Sequence, residues 1–145
     1  MEKTSVLLTT LCFILLCNLT ALAQNIKTMD IVKVNARYEK EALYFYNENW
    51  KAFRNEALKK GFISGFEMLR TATDSTNHFQ LILITEYADS TSFQNMERNF
   101  EPIMKAISPK GPRMLNEVPR KEFLEYIVGY DALSIISKQR KAKRK

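Results

Sequence analysis

Cysteine and histidine are almost missing from this chain. Of its 145 residues two are cysteine, Cys12 and Cys17, and one is histidine, His78. Both cysteines fall in the first 23 residues, which read as a removable export signal. The mature protein is therefore expected to use no disulfide, no thiolate nucleophile and no cysteine metal site. A single histidine excludes a His-rich zinc site, and any Ser-His-Asp triad would have to be built on His78. Neither a metal nor a tightly bound cofactor is expected. Glycine is scarce too: Gly61, Gly65, Gly111 and Gly129 stand far apart, so no phosphate-cradling loop, Walker pattern or nucleophile elbow can be drawn.

What is present begins with a short apolar run. Residues Val6 to Cys17 are followed by Ala21-Leu22-Ala23, and small residues one and three positions before the cut suit a signal peptidase. The run is too short and too interrupted for a bilayer span of about 20 residues. Cleavage after Ala23 is the expectation, with an uncleaved anchor as the alternative. The protein would then be exported, to the periplasm of a two-membrane bacterium or otherwise to the extracellular space. Leu11 and Leu16 precede the two cysteines, which argues against a lipid anchor.

Charge is unevenly distributed. The formal net charge is +6, but the last eight residues, Lys138 to Lys145, hold six basic side chains and no acid. The body from Gln24 to Ser137 is balanced, so no nucleic-acid groove is expected. A solvated disordered tail is the plain reading of 138–145, and an anionic surface is the alternative partner. Three segments follow: a signal at 1–23, a domain at 24–137 and a basic tail at 138–145.

Within the domain, Ile31, Val32 and Val34 suit a strand over Ile26 to Val34. A helix is expected from Arg37 to Lys60. Glu39 and Glu41 lie in its first turn, Lys59 and Lys60 in its last, and Gly61 stops it. Leu43, Tyr46, Trp50, Phe53 and Ala57 recur at spacings of three and four and form its core stripe. Phe62 to Thr71 reads as a strand, Thr73 to Asn77 as a polar turn and His78 to Tyr87 as a long strand apolar on both faces. A second helix starts among Asp89 to Ser92, with Thr91 and Gln94 at capping-box spacing. Pro102 is expected to bend or split that helix near Phe100, and Ser108 to Pro112 to end it. Phe123 to Tyr130 is the last strand, and a short helix across Asp131 to Ser137 is weakly indicated. The order strand, helix, strand, strand, helix, strand is solved compactly by an α+β, ferredoxin-like βαββαβ domain: a four-stranded antiparallel sheet with two helices on one face.

Four segments carry a resemblance to a known group. They are Asp30-Ile31-Val32-Lys33-Val34, Asn49-Trp50-Lys51-Ala52-Phe53, Lys60-Gly61-Phe62-Ile63-Ser64-Gly65-Phe66, and Leu81 through Asp89 leading into the second helix. Together they resemble the dimeric α/β-barrel superfamily, the group that includes antibiotic-biosynthesis monooxygenase-like proteins. The likeness covers about Ile26 to Ile107. It implies a homodimer in which two sheets meet face to face, and a ligand held between the sheet and the helices of each subunit. Members that oxidise aromatic substrates place their Trp on a strand, and haem degraders place a His on the second helix. Here Trp50 is on the first helix and no His lies between Phe93 and Ile107, so no catalytic residue is carried over.

Aromatic residues supply the candidates for binding. Tyr46, Trp50, Phe53, Phe66 and Tyr87 could line a pocket for a small apolar or aromatic ligand, against the plainer reading that they fill the core. His78, beside Asn77 in a polar turn, is read as an ordinary exposed histidine. Arg70 and Glu86 are expected to form a cross-strand ion pair. Three functions stay open: a dimeric binder of a small apolar ligand, a cofactor-independent monooxygenase-like enzyme, and an envelope interaction module using the basic tail.

Overall fold

The computed structural model describes residues 26–133. The expected signal at 1–23, the basic tail at 138–145 and residues 134–137 of the last expected helix lie outside the described residues. The described chain is α+β, with one four-stranded antiparallel sheet and several helices, an arrangement compatible with a ferredoxin-like fold.

Strand β1 (Ile26–Asn35) lies beside β3 (His78–Tyr87) through ten consecutive residue pairs, and the sheet order is β2-β3-β1-β4. Both are interior strands, which accounts for the apolar residues on both faces of β3. β2 (Gly65–Arg70) forms one edge and is shorter than the sequence indicates, because Phe62 to Ser64 serve the preceding turn. β4 (Leu124–Leu133) forms the other edge and runs longer. Asp131 to Leu133 continue the strand instead of starting a helix, with Ala132 at φ 58° where the pairing with β1 shifts register.

The first helical stretch is continuous but not uniform. A 3₁₀ turn (Ala36–Tyr38) leads into α1 (Glu39–Phe45), a π-helical segment (Tyr46–Lys51) and α2 (Ala52–Lys59). Its end follows the expected chemistry. Gly61 adopts φ 71°, Phe62 N–H donates to the Ala57 carbonyl at 2.9 Å and Gly61 N–H to that of Leu58 at 3.1 Å, a Schellman closure.

The second helical stretch departs from expectation in two places. The N-cap is Asp89, whose carboxylate accepts from Ser92 N–H at 2.7 Å, so the Thr91/Gln94 box is not used. The break falls at Asn95, between α3 (Ser90–Gln94) and α4 (Met96–Ile107), and α4 runs straight through Pro102. Pro102 and Arg98, four residues before it, are both exposed, so water can serve the carbonyl that lacks a helical donor. A short α5 (Arg120–Phe123) precedes β4.

Alternation along the strands separates two sheet faces. Val32, Val34, Phe79, Leu81 and Leu83 are buried against Ala42, Phe45, Tyr46, Trp50 and Phe123. Tyr87 joins a second cluster with Ala57, Ile63, Phe100 and Ile103. The opposite face carries two apolar rows, Leu69–Ile82–Ile31–Val128 and Ile84–Met29–Tyr130, set side by side by the strand register. Leu69 and Tyr130 are exposed and the others are half-buried.

The expected Arg70–Glu86 pair does not form. The hairpin register sets Arg70 opposite Leu81 and Glu86 opposite Gly65. Arg70 instead pairs with Glu39 at 3.3 Å and stacks on Phe79, while Glu86 pairs with Lys27 on the neighbouring strand.

Candidate functional site

A cavity of about 530 Å³ lies between the helix-covered sheet face and the helices. That is within the range of small-molecule sites. Its floor is sheet: Asp30 and Val32 of β1, Leu83 of β3, Leu124 and Tyr126 of β4. Its helical wall comes from Phe45, then from Tyr46, Asn49 and Trp50 of the π-helical segment, then from Phe53 and Arg54 of α2. The C-terminal end of α4 and the loop through Ser108, Pro109 and Pro112 close another side. Single π turns widen a helix by one residue and recur at functional sites, and this one holds three cavity residues.

Of the five aromatic candidates, three meet here. Tyr46 and Trp50 are buried and Phe53 is half-buried, all on the cavity wall. Phe66 packs edge-on against the Trp50 ring, centroids 5.7 Å apart, and backs the wall without lining it. Tyr87 is buried in the second core cluster, its hydroxyl 3.7 Å from Met96 Sδ, and does not line the cavity. His78 stands at the start of β3, its Nδ1 3.1 Å from Thr76 Oγ1, remote from this wall.

The polar residues of the cavity were not anticipated. Asp30 accepts a hydrogen bond from the Tyr126 hydroxyl at 3.3 Å. The two can meet because residue 129 is glycine: a Cβ there would collide with the Tyr126 hydroxyl and stand 2.9 Å from Asp30 Oδ1. Arg54 donates from Nε to Thr85 Oγ1 at 3.3 Å, and its guanidinium lies 4.5 Å from the Trp50 ring centre and 4.9 Å from that of Phe100. Burial pushes Arg54 down to about 10, against the opposing pull of Tyr87 and Asp30. Burial pushes the Tyr46 phenol up to about 12, partly countered by Arg120 and reinforced by Asp30.

Asn49 fastens the loop wall to the helix. Its amide donates to the Arg113 carbonyl at 2.9 Å and to that of Phe45 at 2.7 Å, and its Oδ1 accepts from Arg113 N–H at 2.8 Å. The Arg113 side chain adds a pair with Glu48 at 3.2 Å. Among the described residues two buried side-chain polar atoms have no partner, Trp50 Nε1 and Ser108 Oγ, and both residues line the cavity.

Simple signals for these residues exist in the sequence. Arg54 sits four residues after Trp50 and three before Ala57, a charge within an otherwise apolar stripe. Asp30 has the same strand parity as Val32 and Val34, so an inward carboxylate follows from alternation. The role of Asn49 has no such signal, since its partner is 64 residues away.

Among the described residues no group of three or more His, Cys, Asp or Glu could hold a metal ion, and no helix is long and apolar enough to cross a membrane. Set against protein-family models, curated proteins and solved structures, the chain finds no match.

Proposed function

We propose that this is an exported, dimeric protein of the ferredoxin-like α/β-barrel kind that binds a small apolar or aromatic molecule between its sheet and its helices. The observation that carries the reading is the cavity itself: a wall of Tyr46, Trp50 and Phe53, with the indole N–H of Trp50 buried and unpartnered. A buried donor without an acceptor costs about 1–3 kcal/mol, and a ligand acceptor would remove that cost. The surrounding rings supply apolar contact, and the polar atoms are few enough to orient a ligand without making the site a hydrated cleft.

The free sheet face supports the dimer. Its central rows of apolar side chains are bounded at one end by the Lys27–Glu86 pair, at the other by Lys33–Glu125 at 3.8 Å, and on the β2 edge by the exposed Glu67. An apolar centre with a charged rim is the usual anatomy of a protein interface. A second copy applied to this face would bury the rows without disturbing the cavity on the other side. Export rests on the apolar run and the Ala21-Leu22-Ala23 close.

The test is the native mass of mature protein purified from its own host. A dimer beginning at Gln24 and carrying extra small-molecule mass is expected. An empty monomer would overturn both the interface and the binding role.

A further inference from the structure

Among the described residues three arginines, Arg54, Arg70 and Arg120, lie over phenylalanine rings, and of these only Arg70 has a carboxylate within 4 Å. Arg70, exposed at the edge of the sheet, stacks 4.2 Å from the Phe79 ring centre and is paired with Glu39 at 3.3 Å. Arg54 is the more enclosed, held between the Trp50 and Phe100 rings, yet no carboxylate among the described residues comes within 4 Å of it. Its one hydrogen bond uses Nε, leaving the four N–H groups of the guanidinium tip without a protein acceptor among those residues. Ring faces attract a cation, but they do not replace the hydrogen bonds it had in water.

Asp30 does not fill the gap. It lies opposite Leu83, one inward position along β3 from the Thr85 that holds Arg54, and it receives the Tyr126 hydroxyl. Its charge reaches Arg54 only at a distance. Beyond Asp30, every charged side chain on the cavity wall is a cation: Arg54, Lys105 and Arg120. Lys105 is answered by Glu101 on its own helix, whereas Arg120 stands 5.6 Å from the Phe45 ring. The Trp50 ring under the guanidinium carries an unpartnered, buried Nε1–H, so two side chains of the same wall hold donors with no protein acceptor among the described residues.

We infer that the ligand of this cavity is an organic acid, an apolar or aromatic body ending in a carboxylate that accepts from the Arg54 guanidinium and the Trp50 indole N–H. This rests on the binding role proposed above and names the chemical class that role takes. The planar fork of Arg54 suits a two-oxygen anion. The body of the acid then lies along Tyr46 and Phe53, over a floor that runs from Asp30 and Leu83, the row next to Thr85, through Val32 and Tyr126 to Leu124.

The experiment compares two probes of equal shape on the intact mature protein by titration calorimetry at pH 7: 1-naphthoate and the neutral 1-naphthamide. The acid should bind about tenfold more tightly or better, the worth of a charge-assisted hydrogen bond. Arg54→Met should bring the acid down to about the level of the amide, abolishing the acid's advantage. Arg54→Lys, which keeps the charge and loses the fork, should fall between. Decanoate in a further titration separates an aromatic acid from an aliphatic one, and tight binding of either supports the inference. Equal affinity for acid and amide would overturn the organic-acid assignment and leave the cavity's binding role standing. Failure of all three probes would overturn both. Because the wild-type comparison needs no variant, the test holds even if Arg54→Met does not fold.

Discussion

The two faces of the sheet treat charge in opposite ways. On the open face four charged side chains sit at the ends of the strands and meet their opposites across the ladder, Lys27 with Glu86 and Lys33 with Glu125, while Glu67 on the edge strand β2, opposite Ile84, is exposed to water and has no ion-pair partner among the described residues. On the covered face, where the surroundings are drier, Asp30 and Arg54 line the cavity with no ion-pair partner within 4 Å among the described residues. Stability alone would arrange things the other way. Exposed pairs are worth about 0–1 kcal/mol, while an enclosed charge without a partner costs several. This difference fits the binding role proposed for the covered face. On the same proposal the open face is the one a second copy would cover.

The largest test of this contrast lies on β3. Phe79 is 1% exposed on the covered face, and Phe79→Ala should cost about 3–5 kcal/mol in urea unfolding. Ile82, three residues on and facing the other way, sits in the middle of the open rows. Ile82→Lys should leave the circular dichroism of the fold intact while native mass moves from dimer to monomer. A monomeric wild type, or a dimeric Ile82→Lys, would remove the open face as an interface.

Much of this was legible in the sequence, and the reason is local. Strand alternation, the 3.6-residue stripe of the first helix and the Gly61 stop depend on neighbours within a few positions, and all three appear in the structure. Three of the five aromatic candidates reach the cavity for the same reason, because they share one helical stripe. Phe66 and Tyr87 belong to strands, and which part of the core a strand residue enters depends on where the helices cross it. Ion pairs were the least legible. Arg70 and Glu86 look like partners until the hairpin register places them five positions out of line. The passage of α4 through Pro102 turns on the solvent exposure of Pro102 and Arg98, which the order of residues does not state.

Alkaline pH offers a sharper look at the covered face. The Tyr46 phenol keeps its proton in the folded protein to about pH 12, whereas in the unfolded chain it ionises near 10. Between those values the folded state holds the extra proton, so stability falls as pH rises through the window, by up to about 3 kcal/mol. Below pH 10 the group contributes no slope. Tyr46→Phe should therefore flatten the decline between pH 10 and 12 in denaturant midpoints, and an unchanged slope would mean that the phenol is open to water. Asn49→Ala comes next, at about 2 kcal/mol, since it strands both the N–H and the carbonyl of Arg113. Hydrogen exchange at Arg113 should quicken with it. Asn49→Asp, which can still accept from that N–H but cannot donate to the carbonyl, should recover part of the loss.

The smallest effect expected is at Gly129, and it separates site from scaffold. A methyl group there occupies the place of the Tyr126 hydroxyl and crowds Asp30 Oδ1. Because Tyr126 is 60% exposed, its ring can swing out to water, and little packing is lost. Gly129→Ala should cost no more than about 1 kcal/mol, the net worth of one hydrogen bond. Its effect on the cavity is larger in kind, because Asp30 would keep its charge and lose its donor. Tyr126→Phe makes the same cut without touching the backbone, so the two variants should match in their affinity for a cavity ligand. If Gly129→Ala alone weakened binding, the cause would lie in the β4 backbone, and the Asp30–Tyr126 pair would be scaffold after all.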